Sequence, residues 1–269
     1  MSHDELTLER PSAVPTAAGR PHRPAPGETV ADTVARMSSV QKGAHGAPAY
    51  GRFVNRPLGR RLAAVAFHLG MTPDAVTACS AVLTLSGLLT VALAPHTWPT
   101  GIAVVLLLAI GYALDSADGQ LARLRGGGTP AGEWLDHMVD SAKVVGLHLA
   151  VLIGLYRTGE LDERWLLLPI GFALVDVVYF FAMLLNEALR GRAGAATRAQ
   201  GATGRASVLR SLVLLPTDYG TQILIFALLG STVAFTAAYG ALLACTVAFL
   251  LLALPRWRAE MAALRPVAG

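Results

Sequence analysis

Four aspartates, Asp115, Asp118, Asp136 and Asp140, lie within one short stretch flanked on both sides by long apolar runs. Asp115 and Asp118 are three residues apart, and Asp136 and Asp140 four, so on helices each pair shares a face. Between the pairs runs RGGGTPAG, whose glycines and proline reverse a chain sharply. Two helix ends then face each other and four carboxylates converge. Each such charge, buried without compensation, costs several kcal/mol. Protonation relieves part of that cost. A pair of divalent cations relieves more, because carboxylate oxygens suit Mg²⁺, Mn²⁺ or Ca²⁺. Two such ions about 3.5–4 Å apart form a clamp for in-line displacement at phosphorus. The intervening residues suit a phosphate ligand. Gly119 and Ala122 keep one face small, and Arg123 offers a bidentate contact. Helix packing and membrane anchoring account for those three residues as well. They do not account for four paired aspartates, since carboxylates inside a membrane are functional by default.

The elements that must carry this cluster are read from composition. The chain has 269 residues, 54% hydrophobic and 15% charged, against about 25% charged in a soluble domain. Long apolar stretches with so little charge imply an all-α integral membrane protein of several spans. The formal net charge of +4 comes from arginines beside the apolar runs, which is a topology signal rather than a nucleic-acid footprint. Cys79 and Cys245, the only cysteines, sit in apolar runs and read as packing residues, not a disulfide framework. The first residues lack the apolar core of a cleavable signal peptide.

Residues 1 to about 27 are rich in Pro, Ala, Gly and charge and read as disordered; 28–41 read as a short soluble helix. Residues 1–49 thus form an N-terminal segment, 50–256 the membrane domain and 257–269 a tail. In RFVNRPLGRRLAAVAFHLG, Arg56, Arg60 and Arg61 alternate with Leu58, Leu62, Val65, Phe67 and Leu69. That mixture suits an amphipathic helix in the membrane interface, or one docked on protein. Six transmembrane helices follow, at about 74–94, 100–123, 132–156, 165–189, 219–230 and 232–254. Short connections such as PHTWPT make neighbours antiparallel. Arginines gather before span one, between spans two and three, between four and five, and after six. The opposite loops hold none, or Arg157 and Arg164 offset by Glu160, Asp162 and Glu163. Both termini and the aspartates are therefore expected on the cytoplasmic side of the plasma membrane.

The stretch as a whole resembles the CDP-alcohol phosphotransferase (CDP-alcohol phosphatidyltransferase) family, whose pattern is D-x2-D-G-x2-A-R-x8-G-x3-D-x3-D. Asp115, Asp118, Gly119, Ala122, Arg123, Gly132, Asp136 and Asp140 occupy every fixed position at the right spacing. The resemblance extends over roughly residues 50 to 255 and implies a transferase of phospholipid biosynthesis. A CDP-linked donor such as CDP-diacylglycerol loses CMP as its phosphatidyl or phospho-alcohol half passes to an acceptor hydroxyl. The resemblance also implies two divalent cations, Mg²⁺ or Mn²⁺, on Asp115, Asp118, Asp136 and Asp140. Asp140 doubles as general base, and Gly119, Ala122, Arg123 and Gly132 line the CDP site. Homodimers are common in the family. Upstream, MTPDAVT resembles the family's entry into span one, with Asp74 where Asn is commoner, which brings Asp74 and Thr77 toward the nucleotide. Thr72 and Pro73 are equally a good helix start.

The acceptor is less legible. A phosphorylated polyol such as glycerol or inositol phosphate needs cations, which Arg190, Arg198 and Arg205 supply if they are more than a topology signal. Lys143, one turn past Asp140, either offsets charge or binds phosphate. Asp218 and Tyr219, at the mouth of span five, are candidates for the acceptor pocket. The string DHxxDS, with His137 after Asp136, instead echoes the choline/ethanolamine phosphotransferases, which act on diacylglycerol; His137 is then a catalytic candidate. An ion-coupled transporter is the competing class. Against it stand the placement of the carboxylates at one hairpin and the lack of a broken helix or inverted repeat.

Overall fold

The structure, a computed structural model, describes residues 23–38, 48–195, 208, 211 and 214–264. Most of the N-terminal stretch expected to be disordered therefore lies outside the described residues, as do Arg198 and Arg205. The described residues are helical, with no strand among them. Helix α1 (Val30–Met37) is short; α2 (Arg56–His68) follows a π-helical turn, Gly51–Asn55. Then come α3 (Pro73–Leu93), α4 (Trp98–Leu124), α5 (Pro130–Thr158), α6 (Leu167–Arg192), α7 (Tyr219–Leu224) with its 3₁₀ continuation Ile225–Leu228, and α8 (Thr232–Ala263).

Local chemistry sets where these helices begin. Thr72, Thr97 and Thr129 each accept a backbone N–H three residues on, at 3.2, 3.3 and 3.0 Å, and a proline follows within the first turn. Side-chain oxygen plus proline is the arrangement that satisfies free N–H groups where none is otherwise bonded. The turn between α4 and α5 uses Gly126 and Gly127 at φ 115° and 132°, a region side chains rarely adopt. It closes with Gly127 N–H donating to the Ala122 carbonyl at 3.0 Å.

Among the described residues, five helices are long and apolar enough to cross a membrane. The expected fifth span differs: Tyr219–Leu228 is apolar but only ten residues long. At 1.5 Å per residue it covers about half of a hydrocarbon core. The last helix runs on past its expected end to Ala263, with Pro255 inside it. Helix α2 turns its small residues inward. Gly59, Ala63 and Ala64 are buried, and Gly59 lies so near Ser116 of α4 that a Cβ would stand 2.7 Å from its hydroxyl. Helix α1 adds buried Met37 to the same cluster, with Phe67, Val76, Leu121 and Leu124. Cys79 and Cys245 are free and exposed, facing outward rather than filling the core as expected. An apolar helix in lipid has no need to hide a thiol.

The main core joins α3, α4, α5, α6, α7 and α8 through Leu88, Leu108, Leu147, Phe172, Ile223, Phe235 and their neighbours. Helices α3 and α4 come close enough for Ser80 to donate to the Gly111 carbonyl at 2.8 Å. A Cβ on Gly111 would lie 2.6 Å from the Thr84 hydroxyl. Gly111 is one turn before Asp115, so this close crossing positions the first aspartate.

Candidate metal and nucleotide site

The α4–α5 hairpin brings the aspartates together as their spacing predicts. Carboxylate oxygens of Asp115, Asp118 and Asp136 lie within 4.8 Å of one another, and so do ligand atoms of Asp136, His137 and Asp140. Asp136 belongs to both groups, so one carboxylate is shared by two adjoining donor sets. Asp118 is buried at 5% exposure, while Asp140 keeps 29% of its side chain exposed. An all-oxygen set of this density, with one imidazole at its edge, fits hard divalent cations.

The surroundings divide into two sides. On the α3 side, the Thr77 hydroxyl donates to Asp118 at 2.5 Å, and the Gly119 N–H bonds the other oxygen of the same carboxylate. Thr77 was expected at the nucleotide; its hydroxyl reaches Asp118 and, at 3.2 Å, the Pro73 carbonyl. A Cβ placed on Gly132 would stand 3.5 Å from Asp74, so the start of α3 borders the start of α5. The Arg123 guanidinium folds back over Gly119, within 3.4 Å of where a Cβ would sit. Asp74, Gly119, Arg123 and Gly132 thus line one edge of the carboxylates. Ala122 caps the turn, accepting from Gly127.

On the opposite side Lys143 reaches across the hairpin. Its ammonium donates to Asp115 and, at 3.2 Å, to Asp140. Of its two expected roles, charge compensation is the one seen. His137 Nε2 stands 3.9 Å from Glu133, and its Nδ1 is buried with no hydrogen-bond partner among the described residues.

Two other expected residues have partners of their own. Arg190 pairs with Glu260 near the end of α8. Asp218 accepts from the backbone N–H groups of Gly51 at 3.0 Å and Gly220 at 3.1 Å, which leaves its carboxylate tied to the chain. It clips the segment before α2 to the start of α7.

A polar group that motif reading passed over lies deeper. His148 of α5 bonds Tyr239 of α8 through Nδ1 at 2.6 Å and Asp176 of α6 through Nε2 at 3.1 Å. Gln222 of α7 donates to the same Asp176 oxygen at 2.8 Å. All four side chains are buried. The sequence signal was available: Asp176 and His148 are ionisable residues inside apolar runs.

The fold and site together are a bundle with helices of membrane-spanning length that carries, at one hairpin, carboxylates able to hold metal ions. The family model for CDP-alcohol phosphatidyltransferase matches residues 70–255, and the chain belongs to that family. It is therefore an enzyme, a phosphotransferase of the CDP-alcohol type. The match contains the whole hairpin and excludes α1 and α2. Two solved structures of Mycobacterium tuberculosis phosphatidylinositol phosphate synthase are similar to it. One, in complex with manganese and citrate, is 21% identical, covering 69% of this chain and 82% of that one, with a TM-score of 0.43. The other, in apo form, is 22% identical, covering 72% and 92%, with a TM-score of 0.45. No curated protein matches the chain.

Proposed function

We propose that the protein transfers a phosphatidyl group from a CDP-linked donor such as CDP-diacylglycerol to an acceptor hydroxyl, releasing CMP, at a site holding two divalent cations. The observation that carries this reading is the convergence of Asp115, Asp118 and Asp136 within 4.8 Å, with Asp136 shared by the adjoining Asp136–His137–Asp140 group. When bound there, Mg²⁺ or Mn²⁺ neutralises the pyrophosphate and the departing CMP. Asp74, Gly119, Ala122, Arg123 and Gly132 receive the CDP half, with Arg123 against a phosphate. Thr77 orients Asp118 from behind.

Asp140, the more exposed carboxylate, accepts the proton of the acceptor hydroxyl. The new bond joins acceptor oxygen to phosphorus, and the bond from phosphorus to the CMP oxygen breaks. Lys143 holds Asp140 against Asp115, so the base stays aimed across the hairpin. The arginine distribution supports a cytoplasmic site at the plasma membrane and an interfacial α2, and Arg198 and Arg205 are proposed as partners of an acceptor phosphate. The protein works as a homodimer, the state its family resemblance implies.

The test is a donor and acceptor panel on purified protein with Mn²⁺ or Mg²⁺. CMP release from CDP-diacylglycerol with a polyol or sugar phosphate is expected. CMP release only from CDP-aminoalcohols with diacylglycerol would replace this reading by the aminoalcohol one. No release from any CDP donor would sink it. Asp140→Asn is expected to abolish turnover while nucleotide binding persists.

A further inference from the structure

We propose that the Tyr219 hydroxyl contacts the acceptor, and that the buried Asp176–Gln222 pair holds it in place. This inference rests on the reading of Asp140 as the base. Tyr219 opens α7, and its phenol oxygen is buried with no hydrogen-bond partner among the described residues. Its ring packs on Tyr112, which lies one turn before Asp115 on α4. Buried hydroxyls are almost always bonded, because leaving one unpaired is destabilising. An unpaired phenol beside the carboxylate cluster is accounted for by a partner that arrives with the substrate.

The side it faces identifies that partner. Asp118 belongs with Thr77 on the α3 side, where Asp74, Arg123 and Gly132 also gather. Tyr219 packs against Tyr112, three residues before Asp115 on α4, whose carboxylate Lys143 links to the proposed base Asp140. A phenol donates to oxygen. Its target is an oxygen of the acceptor, either the polyol itself or a phosphate it carries.

Helix α7 is too short to be held by the membrane, so its position depends on bonds at both ends. Asp218 ties its start to Gly51. The Tyr50 ring lies close against Gly220, where a Cβ would fall 1.9 Å from it. The Tyr219 ring meets Tyr112 edge-on, with centroids 5.2 Å apart. One turn further on, Gln222 donates to Asp176, which His148 and Tyr239 hold in turn. Gln222 is a positioning residue; Tyr219 is the contacting one.

Tyr219→Phe removes only the hydroxyl. In the purified full-length protein with Mn²⁺, kcat/KM for the acceptor is expected to fall about tenfold, the size of one strong hydrogen bond. KM for the CDP donor should stay within twofold and the thermal midpoint should not drop, because no protein bond is lost. Phosphorylated and unphosphorylated acceptors, run in parallel, tell which oxygen is bound: the arm with the larger loss names it. Gln222→Leu should lower both acceptor kcat/KM and stability, yet add little to the acceptor defect in the double variant with Tyr219→Phe. The proposal is overturned if Tyr219→Phe leaves acceptor kcat/KM within twofold, if donor and acceptor suffer equally, or if stability falls. A wild-type protein that releases no CMP from any donor would overturn the reaction itself, and this assignment with it.

Discussion

Thr77 offers a direct test of how the site is held. Its hydroxyl and the Asp118 carboxylate are 2.5 Å apart, and the two residues are 4% and 5% exposed. Thr77→Val keeps the shape and deletes the donor. A hydrogen bond to a charged group contributes about 1.5–3 kcal/mol, or roughly 10- to 150-fold in an equilibrium constant. The Gly119 N–H still bonds Asp118, so the loss should fall near the lower end, about tenfold. The assay is Mn²⁺ titration followed by electron paramagnetic resonance, which reports binding without turnover. Thr77→Ser, which keeps the hydroxyl, should restore affinity. If Thr77→Val binds Mn²⁺ within twofold of wild type, the carboxylate is oriented by something else and the reasoning is refuted.

Two further outcomes concern stability. Gly101 of α4 crosses the start of the Ile225–Leu228 turn so closely that a Cβ would lie 2.4 Å from the Phe226 carbonyl oxygen. Gly101→Ala should therefore cost about 1–3 kcal/mol by overpacking, read as a lower thermal midpoint; an unchanged midpoint would show the crossing to be loose. The Glu28 contacts that brace α1 are expected to depend on pH. The Ala25 N–H, then Arg36, bond Glu28 and hold its carboxyl at about 2, below its ordinary 4.5. A lowered folded-state value stabilises above the unfolded one, so the contribution is full above pH 4.5 and fades as pH falls toward 2. Hydrogen-exchange protection of α1 should weaken across that window in wild type but not in Glu28→Gln; equal pH dependence in both would exclude Glu28 as the cause.

Much of this molecule was legible before any coordinates. Four long spans and the last span follow from apolar run length, and the starts of α3 and α5 from Thr-Pro pairs, which are local properties. The hairpin and its four aspartates follow from i, i+3 and i, i+4 spacing around a glycine turn. The fifth span was legible only as an apolar run. Its ten-residue length depends on how Tyr219–Leu228 packs beneath Gly101 and beside Asp176, contacts distant in sequence.

Sequence by itself determined which residues carry charge into the bilayer and how they repeat along each helix, since periodicity is a property of the chain alone. Only the tertiary structure decided what each charge meets. Lys143 bridges Asp115 of α4 and Asp140 of its own helix, a pairing that spacing alone does not give. Asp218, a candidate for the acceptor pocket, accepts from the backbone of Gly51, 167 residues earlier. His148, Asp176, Gln222 and Tyr239 come from four helices, and no spacing links them. Side-chain hydrogen bonds between helices depend on rotation and depth, and those are set by packing across the whole bundle.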